Sequence, residues 1–124
     1  MEKPSQEVID RIKAKFPSQS LHRVTLRLPG GDEEFCFVMV GPDADQYKTY
    51  SDEVTKAREN AKSDLDRNER LAFAAKSAAL RQTQWPEREE LKTLLHAKPG
   101  FVHLLAEQIH EHAGSTAEVR SEKL

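Results

Sequence analysis

The stretch LHRVTLRLPGGDEEFCFVMVGP, from Leu21 to Pro42, limits what this chain can become more than any other. Val24, Leu26 and Leu28 alternate with Arg23, Thr25 and Arg27, the two-residue period of a strand with one face covered. Pro29-Gly30-Gly31-Asp32 comes next, and a tight reversal needs the positive φ that glycine adopts freely. Phe35 to Val40 is apolar throughout and closes at Gly41-Pro42, so the second strand of this hairpin is expected to be covered on both faces. Something must lie on each side of it, and the flanking sequence offers helices.

Before the hairpin, Pro4 suits the first turn of a helix, where its missing N–H costs nothing. Val8, Ile9, Ile12 and Phe16 make an apolar stripe that Pro17 ends. After the hairpin, Asp43 and Asp45 stand where a helix N-terminus favours negative charge. Tyr47, Tyr50, Val54, Ala57 and Ala61 recur at helical spacing. The period slips at Ser63-Asp64, and Asp66 with Glu69 is expected to form the next capping box. Leu71, Ala74, Ala75, Ala78 and Ala79 follow; so much alanine on one face predicts a second helix or a partner at close range. Trp85-Pro86 ends that helix and Pro86-Glu87 opens another, with Leu91, Leu94 and Leu95 inward. Pro99 starts the last helix, and Ala113-Gly114 supplies its stop. The expected fold is α+β: an N-terminal helix, a β-hairpin, then a mostly helical C-terminal bundle of about four helices. Residues 1–114 are expected to form a single domain, and the polar residues 115–124 a flexible tail.

Composition excludes several roles. Charged residues make up 32% of the 124 and the formal net charge is −2, with nine basic and eleven acidic side chains in residues 1–60 and ten of each after that. No basic stripe is present to neutralise phosphates, so nucleic acid is not the expected partner. No apolar run reaches the roughly 20 residues of a membrane span, and MEKPSQEV has no apolar signal core. Cys36 is the lone cysteine, so no internal disulfide forms. The expected location is the cytoplasm.

Candidate chemistry is sparse. His96, His103 and His110 fall seven residues apart, and seven residues along a helix is roughly 10 Å, too far for two imidazoles to share an ion. They are expected to be solvated surface residues, with His112 suited to the negative end of the last helix. Asp43 and Asp45 open a calcium-loop pattern, but Lys48 and Val54 stand where its glycine and distal glutamate belong, so capping is the expectation. Gly30-Gly31 lies in a turn without nucleotide-binding spacing. Cys36 inside FCFVMV is expected to act as a small hydrophobe; an enzyme would need it activated, with His22 on the other strand the nearest candidate. No catalytic residue, cofactor or metal is therefore expected. Tyr47, Tyr50, Trp85, Leu94 and Phe101 are the residues expected to line a partner-binding groove, if one exists.

The order of these elements resembles the small tail-assembly chaperones of tailed bacteriophages. The resemblance runs over residues 24–114: the hairpin with its apolar second strand, the step into GPDADQYKTYSDEV, and the closing segment WPEREELKTLLHAKPGFVHLLAEQIHEHAG. Trp85-Pro86, Leu91, Leu94-Leu95, Pro99-Gly100, Leu105, Ile109 and Gly114 carry most of it. The chain departs from the pattern in GPDADQYKTY, where a basic start to the helix would match better. The resemblance implies a phage or prophage protein with no catalysis. It also implies binding of the long tape-measure protein, and possibly tail-tube protein, during assembly, with self-association compatible with that role. The alternative is a generic interaction or regulatory adaptor domain without a phage link.

Overall fold

The computed structural model describes residues 2–114 and 119–123. Its elements run α1 (Gln6–Lys15), β1 (Leu21–Arg27), β2 (Glu34–Val40), α2 (Ala44–Glu59), α3 (Asp64–Gln82), β3 (Thr83–Trp85), α4 (Arg88–Ala97) and α5 (Gly100–His112). The architecture is α+β.

The hairpin forms as its pattern demands. Leu21 to Arg27 pairs antiparallel with Val40 to Glu34, residue for residue. Gly30 takes φ +74° and the Gly31 N–H donates to the Leu28 carbonyl at 3.0 Å, closing the turn. Arg27 and Glu34 form an ion pair at its mouth. Alternation then sorts β2 onto two faces. Phe35, Phe37 and Met39 enter one core with Val24 and with side chains of α2 to α5. Val38 and Val40 enter a second with Ile12, packed by Val8, Ile9, Phe16, Leu21 and Trp85. The sheet is thus the middle of three layers, with α1 on one face and the four-helix bundle on the other. Both faces of β2 are covered, as its apolar run required.

One element departs from expectation. Trp85-Pro86 does not pass straight from helix to helix; Thr83–Trp85 forms a short third strand on the free edge of β2, giving the order β1-β2-β3. Pairing with Val38 carries Trp85 to the α1 side of the sheet. The next helix begins at Arg88 rather than at the Pro86-Glu87 step.

Caps fix the helix starts. Ser5 caps α1, accepting from the Val8 N–H, so Pro4 lies before the helix and not in its first turn. Asp43 and Gln46 form a reciprocal capping box on α2, the capping role expected of Asp43. Ser63, not an Asp66–Glu69 box, caps α3, accepting from the Asp66 N–H at 3.1 Å. Asp43→Ala should therefore cost about 1 kcal/mol of stability; equilibrium unfolding in urea measures it, and an unchanged midpoint would show that packing alone holds the start of α2.

Three glutamines tie this junction together. Gln46 Oε1 accepts from Gln19 Nε2 at 2.8 Å and from Gln82 Nε2 at 3.4 Å. Gln82 Nε2 also reaches the Val40 carbonyl at 2.8 Å, and Gln19 Nε2 the Gly41 carbonyl at 2.9 Å. The end of β2, the start of α2 and the end of α3 are so held in one register. The close approach of α3 to its neighbours depends on small side chains: Ala74, Ala75, Ala78 and Ala79 are all buried. This is the helix–helix contact that the alanine run predicted.

At the other end, Gly114 adopts φ +90° just past the last helix. Of the expected tail, residues 115–118 and 124 lie outside the described residues; 119–123 carry no helix or strand and are exposed.

Candidate functional site

The five residues expected to line a groove do not share one. Phe101 is buried, edge-on to Phe35 and Phe37 with ring centroids 5.2 and 6.3 Å away. Trp85 sits across the sheet beneath α1. Leu94 packs half-buried against the bundle core. Tyr47 is half-buried and Tyr50 buried on the inner face of α2. Helical spacing assigns each of them an apolar environment but cannot say which side of the sheet it serves.

Of these, Tyr50 alone borders an open trough of about 680 Å³ where α2, α3 and α5 meet. Val54, Leu71, Ala72 and Leu104 form its apolar walls, and Arg58, Asn68, His103 and Glu107 stand around it. Leu104 is 44% exposed, whereas Leu105 and Ile109 of the same helix are buried. Helical spacing separates the two leucines, because Leu105 lies within the arc of Phe101, Val102, Ile109 and Ala113 and Leu104 lies outside it. A second, smaller groove of about 330 Å³ lies between α2 and α3, beside Phe73.

The histidines are not uniformly solvated, which corrects the sequence reading. His103 and His96 are exposed. His110, however, shares a hydrogen bond with Tyr47 Oη through Nδ1 at 2.9 Å, and its ring lies 5.3 Å from that of Tyr50. It clips α5 to α2 at one end of the trough. Burial, followed by the charges of Tyr47 and Glu53, holds the Tyr50 phenol above its usual pKa. His112 stacks on His22 of β1, centroids 3.5 Å apart and planes within 7°. Burial first, and then the neighbouring His22, push His112 down to about 4. Gly41 makes room for the Ser20 hydroxyl that pairs with His22 Nε2. A Cβ built there would come within 2.2 Å of Ser20 Oγ and 3.6 Å of the His112 Cβ.

The strand register separates Cys36 from His22. Opposed residues in an antiparallel pair point to the same face. His22 is opposite Met39, on the bundle side, whereas Cys36 is opposite Thr25, on the α1 side, where it is buried. The two cannot form a nucleophile–base pair. Among the described residues no group of three or more His, Cys, Asp or Glu side chains is placed to hold a metal ion. Nor is any helix among them long and apolar enough to cross a membrane.

No protein-family model matches the chain. No curated protein matches it either. Among solved structures, an uncharacterised protein from Bacillus stearothermophilus is similar, with a TM-score of 0.60 at 19% identity over 92% of this chain and 99% of that one. At that identity the likeness is one of fold.

Proposed function

We propose that this chain is a non-enzymatic protein-binding module, a tail-assembly chaperone whose client is the tape-measure protein of its phage or prophage. The observation that supports the reading is the apolar trough between α2, α3 and α5, walled by Val54, Leu71, Ala72 and the half-exposed Leu104. A trough between helices suits the helix-in-groove mode, in which anchors at three- and four-residue spacing drop into one apolar channel. A long helical client with unsatisfied apolar stripes has such anchors. Each square ångström of apolar surface covered contributes roughly 25 cal/mol, so a few hundred outweigh the ordering of several side chains. Arg58, His103 and Glu107 at the edges would keep the complex in water and set the client's direction.

Co-expression with a phage tape-measure protein tests this. Wild type should raise the soluble client several-fold over client alone and co-purify with it. Leu104→Asp, which places a charge at the mouth of the trough without touching the buried core, should abolish both effects while still unfolding cooperatively. No gain in soluble client, and no co-purification in either order, would remove the tape-measure reading. Binding that survives Leu104→Asp would move the site away from the trough.

A further inference from the structure

We propose that α3 carries a second interaction surface, adjoining the trough at Ala72, through which two copies of this chain pair antiparallel. Leu65 and Phe73 are 69% and 71% exposed, the largest solvent-facing apolar side chains on the helices. At about 100° per residue, Leu65, Glu69, Phe73, Lys76 and Leu80 fall within an arc of about 80° on α3. The buried alanines 74, 75, 78 and 79 occupy the other side. From Leu65 to Lys76 the ridge points away from the molecule's own core, while Leu80 at its end is half-buried and packs against that core. Two exposed apolar residues two turns apart on one helix, with opposite charges spaced among them, are the pattern of a helix–helix seam.

The charge order selects both the partner and its direction. Glu69 and Lys76 are exposed, and neither has a partner among the described residues. A twofold axis crossing α3 between Ala72 and Phe73 sets Glu69 of each copy against Lys76 of the other. The same axis sets Leu65 against Leu80 and Phe73 against Ala72, twice each. Every apolar residue of the ridge then meets an apolar residue, and every charge its opposite. A parallel arrangement would set Glu69 against Glu69 and Lys76 against Lys76, which like-charge repulsion opposes. The ridge complements itself in one orientation, so the occupant is a second copy of this chain. The contact is isologous, as twofold dimers require. A single face of this 19-residue helix, about 28 Å long, buries less than the roughly 800 Å² per partner of a tight complex. The dimer should therefore be a weak one.

Sedimentation equilibrium over a concentration series tests the proposal, with circular dichroism and thermal unfolding confirming the fold of every variant. Wild type should rise from the monomer mass toward twice that value, and Phe73→Asp should remain monomeric throughout. Glu69→Lys and Lys76→Glu should each weaken self-association at least tenfold. Mixed in equal amounts, these two variants should recover it, because one copy then presents two lysines to two glutamates. The Glu69→Lys/Lys76→Glu double variant should recover it alone. Three results would overturn the proposal: a wild type that stays monomeric at every concentration, a dimer indifferent to the charge reversals, or reversals that weaken association without recovery on mixing.

Discussion

Phe37→Ala should lower the unfolding free energy by about 3–5 kcal/mol, the usual cost of a large-to-small aromatic truncation in a packed core. Phe37 is 0% exposed on the central strand. Its neighbours converge from three directions: Val24 opposite it on β1, Phe101 edge-on from α5, and the α3 alanines across the bundle. None of these can collapse into the vacated volume independently. Val24 is fixed by the ladder, the alanines have no length to extend, and Phe101 is held edge-on against Phe35 as well. The cavity term therefore adds nearly in full to the lost transfer energy. Against a total of about 5–15 kcal/mol for a typical domain, that loss is a large fraction of the stability. Urea denaturation should show a large drop in midpoint with an unchanged slope. Phe73→Ala, measured at concentrations where the chain is monomeric, removes the same atoms from the solvent face of α3 and should change stability by less than about 0.5 kcal/mol. A Phe37→Ala cost near that of Phe73→Ala would mean that the seam between sheet and bundle is loosely packed.

Those two phenylalanines mark what the sequence could disclose. Phe37 was legible because FCFVMV is apolar on both faces, and only a central strand between two layers satisfies that. Asp43 was legible because an acid at a helix start suits the positive end of the helix, while its partner Gln46 was not. Phe73 was not legible. On α3 it lies one residue from buried Ala74 and reads as the edge of an apolar arc until the neighbours of the arc are known. The third strand failed for a related reason. Three residues are too few to show a two-residue period, and what makes Thr83–Trp85 a strand is the open edge of β2, more than forty residues earlier. His110 failed because a polar arc on α5 was taken to face solvent, whereas Tyr47 of α2 stands against it. Local pattern reports which residues want company. It does not report which company the chain's path brings, and the trough, the ridge and the histidine clips all depend on that path.

Acid should loosen this fold well before its carboxylates are protonated. His112 is held at about 4 by burial and by His22, against 6.5 for a free imidazole, and burial lowers His22 as well. Above pH 6.5 both folded and unfolded chains carry these rings neutral, and stability is at its full value. As pH falls from 6.5 toward 4, the unfolded chain binds protons that the folded chain refuses, so unfolding is progressively favoured; below about 4 both states are protonated at His112 and the loss levels off. A shift of that size fully transmitted would exceed about 3 kcal/mol. His112 is only partly buried, and solvent screening reduces the expected loss to about 2 kcal/mol. The physical origin is visible in the stack. The rings lie 3.5 Å apart, the His112 Nδ1 is buried with no hydrogen-bond partner among the described residues, and Ser20 Oγ occupies the His22 Nε2 at 2.7 Å. A proton added to His112 gains no acceptor and meets a second imidazole. Asp52 and Asp66, both held below 3.8 by their hydrogen bonds, contribute only at lower pH and do not confuse the window. Urea midpoints between pH 7.5 and 4.5 should therefore fall for the wild type. His112→Phe keeps a ring to stack on His22 and cannot titrate, so its midpoint should fall much less, leaving the smaller His22 contribution. In the native protein the His112 Cε1 proton signal should titrate near 4. A wild type and a His112→Phe variant that lose stability in parallel across that window would place the acid sensitivity elsewhere in the molecule.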